Sequence, residues 1–143
     1  MAYKFVFLSG DFYADYIQCP EIEQKKDRPY ICLLFEIDGL QFAIPMRSHI
    51  HHPHAFITDP VNHCGVDYSK AIVLTKPNYI DQTRIPYIRP NEFNALRGKE
   101  YIIETGMRKF LKDYRKALLH PEVKRNALLL QFTTLQYFQN LIV

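Results

Sequence analysis

The stretch YICLLFEIDGLQFAIPM, residues 30–46, constrains the fold more than any other part of the chain. Two runs of β-favouring, largely apolar residues flank Asp38-Gly39, a dipeptide suited to the positive φ angles of a tight hairpin turn. The pattern predicts strands over 30–37 and 40–44, with the second stopping at Pro45, which has no N–H to give to a ladder. Further strands are expected over 4–8, 67–75 (DYSKAIVLT) and 79–88, where β-branched and aromatic residues cluster between turn signals.

The period changes after residue 90. Phe93, Leu96, Tyr101, Ile102, Ile103, Met107, Phe110, Leu111 and Tyr114 recur at helical spacing, with Asn91 as the expected cap. Gly98 and Gly106 allow either two helices or one kinked helix before His120-Pro121 ends the run, and a last amphipathic segment covers 122–139. Near the N-terminus, Phe12, Tyr13, Tyr16 and Ile17 mark one face of a short helix ending near Pro20 and capped by Asp11. Strands first and helices after imply an α+β chain with an antiparallel sheet. The polar stretch EIEQKKDRP reads as a surface loop.

With 143 residues, 48% of them apolar, and ten Tyr and ten Phe spread along the chain, there is material for one domain, 1–143, and one core. Three cysteines without a CxxC pair argue against a disulfide framework or a zinc ribbon and suit a reducing, cytoplasmic setting. The apolar run at the N-terminus is too short for a signal or a membrane anchor, so no membrane partner is expected. A net charge of +3 permits a polyanionic partner without demanding one. Basic residues outnumber acidic ones between 98 and 125, either as a solvated helix face or as a phosphate-contacting one.

Residues 47–60 lack periodicity but hold RSHIHHPH, a loop with four histidines in six positions. Imidazoles exchange protons near neutral pH. Arg47 can grip phosphate through two N–H groups and the Ser48 hydroxyl can add another bond. If the loop is extended, His49 and His51 point one way and Ser48, Ile50 and His52 the other. His51 and His52 are then the best proton carriers. Metal binding and plain surface polarity remain as bland readings of the loop, although the helical HExxH frame is missing.

In order along the chain stand Tyr13 with Tyr16, Glu36 with Gly39, Ile44-Pro45-Met46-Arg47-Ser48 with His52, and Gly65-Val66-Asp67-Tyr68-Ser69-Lys70. This series of YxxY, ExxG, IPxxSxxxH and GxDxxK motifs resembles the ToxN/AbiQ family of type III toxins, with PMRSHI and GVDYSKAIV most like its TenpN branch. The resemblance covers residues 5–80, and the helical tail only in outline. It implies a twisted antiparallel sheet wrapped by helices, related to the Kid/MazF toxin fold. It further implies metal-independent, cofactor-free cleavage of cellular or phage RNA to a 2′,3′-cyclic phosphate. Inhibition is implied by a repeated antitoxin RNA, expected as a pseudoknot, that closes into a hetero-oligomer with the toxin.

The resemblance brings Tyr13 toward the histidine loop, and with the loop's own residues the expected catalytic set is Tyr13, Ser48, His49, His51 and His52; the basic residues Arg47, Lys70, Lys76, Arg108, Lys112 and Arg115 are expected on the RNA. One departure stands out: Ile50 occupies the position of the family's loop lysine. Two other functions stay open, a non-catalytic RNA-binding module using the basic helix and exposed aromatics, and a metal-dependent hydrolase built on the histidines. Lys70 reads equally as a strand lysine reaching solvent, and Tyr13 and Tyr16 as core aromatics.

Overall fold

The computed structural model describes residues 3–23 and 29–143. Its centre is the hairpin: β2 (Ile31–Ile37) and β3 (Leu40–Arg47) pair from Ile37↔Leu40 to Cys32↔Pro45, with Asp38 and Gly39 at φ 54° and 80° in the turn. β1 (Phe5–Phe7) adds antiparallel to β2, and β4 (Ala55–Asp59) pairs with β5 (Cys64–Asp67), which returns onto β3. With β6 (Ile72–Val73), also on β3, these make a six-stranded antiparallel sheet of order β1-β2-β3-β5-β4. Among the described residues five helices complete an α+β fold: α1 (Gly10–Asp15), α2 (Pro90–Leu96), α3 (Glu100–Leu119), α4 (Lys124–Phe132) and α5 (Gln139–Ile142).

β3 does not stop at Pro45. In a two-residue hairpin the pair next to the turn is hydrogen-bonded and the pairs alternate from there. Counting from Ile37↔Leu40 puts Cys32↔Pro45 at a non-bonded pair, so the proline costs β2 nothing and its missing N–H falls on the opposite edge of β3. That edge is shared between two partners. β6 lies beside Phe42 and Ala43, and β5 beside Met46 and Arg47. Opposite Pro45 the ladder breaks, and the chain crosses the gap as a 3-10 turn, Tyr68–Lys70.

The strand expected over 67–75 is therefore two strand ends joined by a turn, and Lys70 sits on that turn rather than mid-strand. The strand expected over 79–88 is absent. A 3-10 turn, Pro77–Tyr79, and a single bridge between Leu8 and Ile80 take its place. Asp81 captures the Thr83 N–H at 2.8 Å and its hydroxyl at 2.6 Å, local bonds that compete with a ladder. β4 is a strand where only loop was expected.

The α1 cap is Ser9, whose hydroxyl oxygen accepts from the Phe12 N–H at 3.3 Å, and not Asp11. At α2 Pro90 stands at the first turn after Arg89, so Asn91 lies inside the helix. Gly98, at φ 72°, makes the break between α2 and α3. Gly106 makes none. The phenol end of Tyr68 packs where its Cβ would be, inside a 20-residue α3. Ile103, Met107, Phe110, Leu111 and Tyr114 bury one stripe of that helix in a core shared with Phe12, Leu33, Phe42, Ile44, Leu135 and Phe138. Among the described residues no helix is long and apolar enough to cross a membrane.

Gly65 fixes how closely β4 approaches β5. A Cβ there would press into the Phe56 carbonyl and lie 2.9 Å from the Ile57 Cα, both backbone atoms that cannot rotate away. Gly65→Ala is expected to destabilise the protein by about 1–3 kcal/mol, an overpacking cost. Thermal unfolding checks this, and a variant melting with the parent would show that the β4–β5 pair adapts freely.

Candidate active site

The turn opposite Pro45 carries a fully buried carboxylate. Asp67, at 0% exposure, accepts from Arg47 Nη1 at 2.9 Å, the Ser69 hydroxyl at 2.6 Å and the Ser69 N–H at 3.0 Å. His52 Nε2 lies 3.2 Å from both its oxygens. Burial alone would raise this carboxyl, but the hydrogen bonds from His52, Ser69 and Arg47 outweigh it and hold Asp67 below the usual carboxylate range.

The His54 N–H donates to His52 Nδ1 at 3.0 Å. A backbone N–H can only donate, so Nδ1 carries the lone pair and the His52 proton sits on Nε2, facing Asp67. Both ring nitrogens are thus engaged. Held at both nitrogens, the His52 ring braces Asp67 and, through it, Arg47. Ile50 is buried, whereas Ser48, His49 and His51 are exposed. His49 takes φ 56°, and the His51 ring lies 4.8 Å from that of His63. Among the described residues no group of three His, Cys, Asp or Glu side chains is placed to hold a metal ion.

The second arm of Arg47, Nη2, donates to Glu23 Oε1 at 2.6 Å, and the Tyr30 hydroxyl donates to Glu23 Oε2 at 2.7 Å. The guanidinium lies 5.5 Å from the centre of the Tyr30 ring. These groups line a pocket of about 40 Å³ whose other polar walls are Tyr13, Glu21, Lys70 and Thr134, and whose apolar walls include Phe12, Cys32, Pro45 and Ile72. Lys70 Nζ donates to the Phe132 carbonyl at 2.7 Å. Burial, helped by the nearby Arg47 charge, lowers its pKa, so it gives up a proton more readily than an ordinary lysine. Burial raises the Tyr13 hydroxyl well above its ordinary range, with Cys32 and Tyr30 adding to the shift. Tyr13 is therefore a phenol at neutral pH, able to donate one hydrogen bond and to accept another.

No protein-family model, no curated protein and no solved structure matches this chain. The reading of the site therefore rests on its geometry. Of the residues singled out from the sequence, Tyr13, Arg47 and Lys70 share one pocket, and His52 stands behind it through Asp67. Ser48 lines a neighbouring cleft with Arg47. The remaining basic candidates stand elsewhere. Lys76 pairs with Asp15 at 3.4 Å, Arg108 with Asp38 at 3.1 Å, and Arg115 donates to the Ile142 carbonyl at 2.8 Å, while Lys112 lies exposed on α3.

Glu23 and Ser69 were not singled out, and Asp67 only as part of a motif. Glu23 lies at the border of a stretch that reads as polar loop. The signal for Asp67 and Ser69 was an Asx pattern, an aspartate two residues before a serine, buried inside what looks like a continuous strand.

Proposed function

We propose that the chain is a metal-independent endoribonuclease of the ToxN/AbiQ kind, the toxin of a type III pair, silenced by a repeated antitoxin RNA. The observation that carries this reading is the convergence of Tyr13, Arg47 and Lys70, from three separate segments, on one small polar-rimmed pocket. Transesterification of RNA needs a proton acceptor for the 2′-hydroxyl, positive charge on the phosphorane and a proton donor for the leaving oxygen. All three types of group are present.

In this reading the scissile phosphate takes the place of Glu23 on Arg47 Nη2. The displaced carboxylate then accepts the 2′-hydroxyl proton. The 2′-oxygen forms its bond to phosphorus, the phosphorus–O5′ bond breaks, and Lys70, with its lowered pKa, protonates O5′. The products are a 2′,3′-cyclic phosphate and a 5′-hydroxyl. Tyr13 donates a hydrogen bond to a phosphate oxygen. Asp67, His52 and Ser69 keep the guanidinium in place. The acid–base work thus passes from the histidine loop to residues gathered beneath it.

The test is incubation of purified protein with RNA in EDTA. Discrete fragments ending in cyclic phosphate are expected. Lys70→Met is expected to slow their formation by about 10²-fold or more, as loss of a general acid does, whereas Lys116→Ala leaves the rate unchanged. Intact RNA that shifts on a gel would instead identify a non-catalytic RNA-binding module, and activity abolished by EDTA a metal-dependent hydrolase.

A further inference from the structure

A second cleft adjoins the pocket, and the two share the side chains of Tyr30 and Arg47. Its volume is about 300 Å³, at the lower end of the range for small-molecule sites, against about 40 Å³ for the pocket itself. The smaller space cannot take a nucleobase. The larger one can, and a phosphate held at Arg47 would deliver the adjoining base to it.

The walls suit a base. Tyr87 lines the cleft with 75% of its surface exposed and with no aromatic partner among the described residues, an open face for stacking. Opposite chemistry comes from Arg89. Its Nε donates to Glu92 Oε2 at 3.0 Å, and the other oxygen of that buried carboxylate accepts from the Thr58 hydroxyl at 2.8 Å. Glu92 thereby anchors the guanidinium, with one hydrogen bond on each of its oxygens. Arg89 Nη2 also faces Cys64 Sγ at 3.9 Å, so the donors the cleft presents are Nη1, the second N–H of Nη2 and the Ser48 hydroxyl. A guanidinium fork matches a base edge bearing two acceptors, which is guanine O6 and N7. Adenine places an amino donor beside its N7 and fits less well.

We propose that the Tyr87–Arg89 cleft is the base-recognition subsite of this enzyme and takes guanine next to the scissile phosphate. The inference rests on the reading that Arg47 binds a nucleotide phosphate, and it adds the identity of the base. It predicts cleavage at G-containing steps.

Binding of the 3′- and 5′-monophosphates of the four ribonucleosides to the full-length chain, measured calorimetrically, tests it without any need for turnover. One of the two guanosine nucleotides is expected to bind at least about fivefold tighter than its adenosine, cytidine and uridine counterparts. Tyr87→Ala, on an exposed side chain, is expected to weaken all of them by about fivefold or more while keeping their order. Arg89→Gln is expected to erase the preference for guanine alone. Equal affinities, or variants that bind as the parent does, would overturn the proposal. RNA cleavage in EDTA, run on the same samples, separates the two readings. Cleavage with no base preference removes the subsite and leaves the enzyme. Guanine binding that depends on Tyr87 and Arg89, without cleavage, keeps the subsite and removes the enzyme. Neither binding nor cleavage removes both.

Discussion

Asp67→Ala is expected to cost the fold about 3–5 kcal/mol, because it removes at once the acceptor of a largely buried arginine arm, of the Ser69 hydroxyl and of the Ser69 N–H, and one partner of His52 Nε2. For a chain of this length that corresponds to a fall in melting temperature on the order of 10 °C. The milder Asp67→Asn keeps the shape and removes the charge, and it is the better probe of pH dependence. The Asp67 pKa is depressed in the folded protein, so its contribution is fully present above the unfolded carboxylate pKa, about 3.9, and is lost as pH falls through the lower folded value. Parent and Asn variant should therefore differ most in stability at neutral pH and converge in acid. Thermal melts from pH 2 to pH 7 check this. A gap that stays constant across that range would mean that the carboxylate's charge plays no part in holding the site.

Much of the scaffold was legible because its signals are local. Asp38-Gly39 declares its turn whatever surrounds it, and the buried stripe of α3 repeats at helical spacing. What escaped depends on distant partners. The segment 67–75 has strand composition throughout, and only the missing N–H of Pro45, more than twenty residues earlier, explains why it breaks at Tyr68–Lys70. β4 was obscured by the histidines before it, although Ala55-Phe56-Ile57-Thr58 is strand-like on its own. Helical spacing could not tell the two glycines of the 91–119 run apart. Gly98 turns the chain, while Gly106 is small because Tyr68 lies against it.

The candidate site follows the same division. Arg47 was legible as a basic residue at the head of the histidine loop and Lys70 as a lysine within an expected strand, yet their roles come from neighbours that no spacing reveals. Four histidines in six residues drew attention as acid–base groups. The structure turns His49 and His51 outward and occupies both nitrogens of His52. Carboxylates carry more of the site than the sequence suggested. A buried Asp67 is tolerable only because three neighbours donate to it, and that surplus of donors is what immobilises Arg47.

Arg47→Lys should lower RNA cleavage by about 10²–10³-fold, the usual cost of losing one preorganised donor to a developing negative charge. The substitution keeps the positive charge, so the loss would isolate geometry. Arg47 spans Asp67 with one arm and Glu23 with the other, at 2.9 Å and 2.6 Å, while its plane lies near the Tyr30 ring. An ammonium is a point charge and cannot meet both carboxylates in one plane. It is expected to settle on the buried Asp67, where an unpaired charge costs most, and to abandon the position at which the phosphate replaces Glu23. Folding should then survive with a modest fall in melting temperature, while the single-turnover cleavage rate collapses. If the lysine variant cleaves as fast as the parent, the guanidinium fork does not hold the phosphate, and the pocket below Tyr13 is not where RNA is cut.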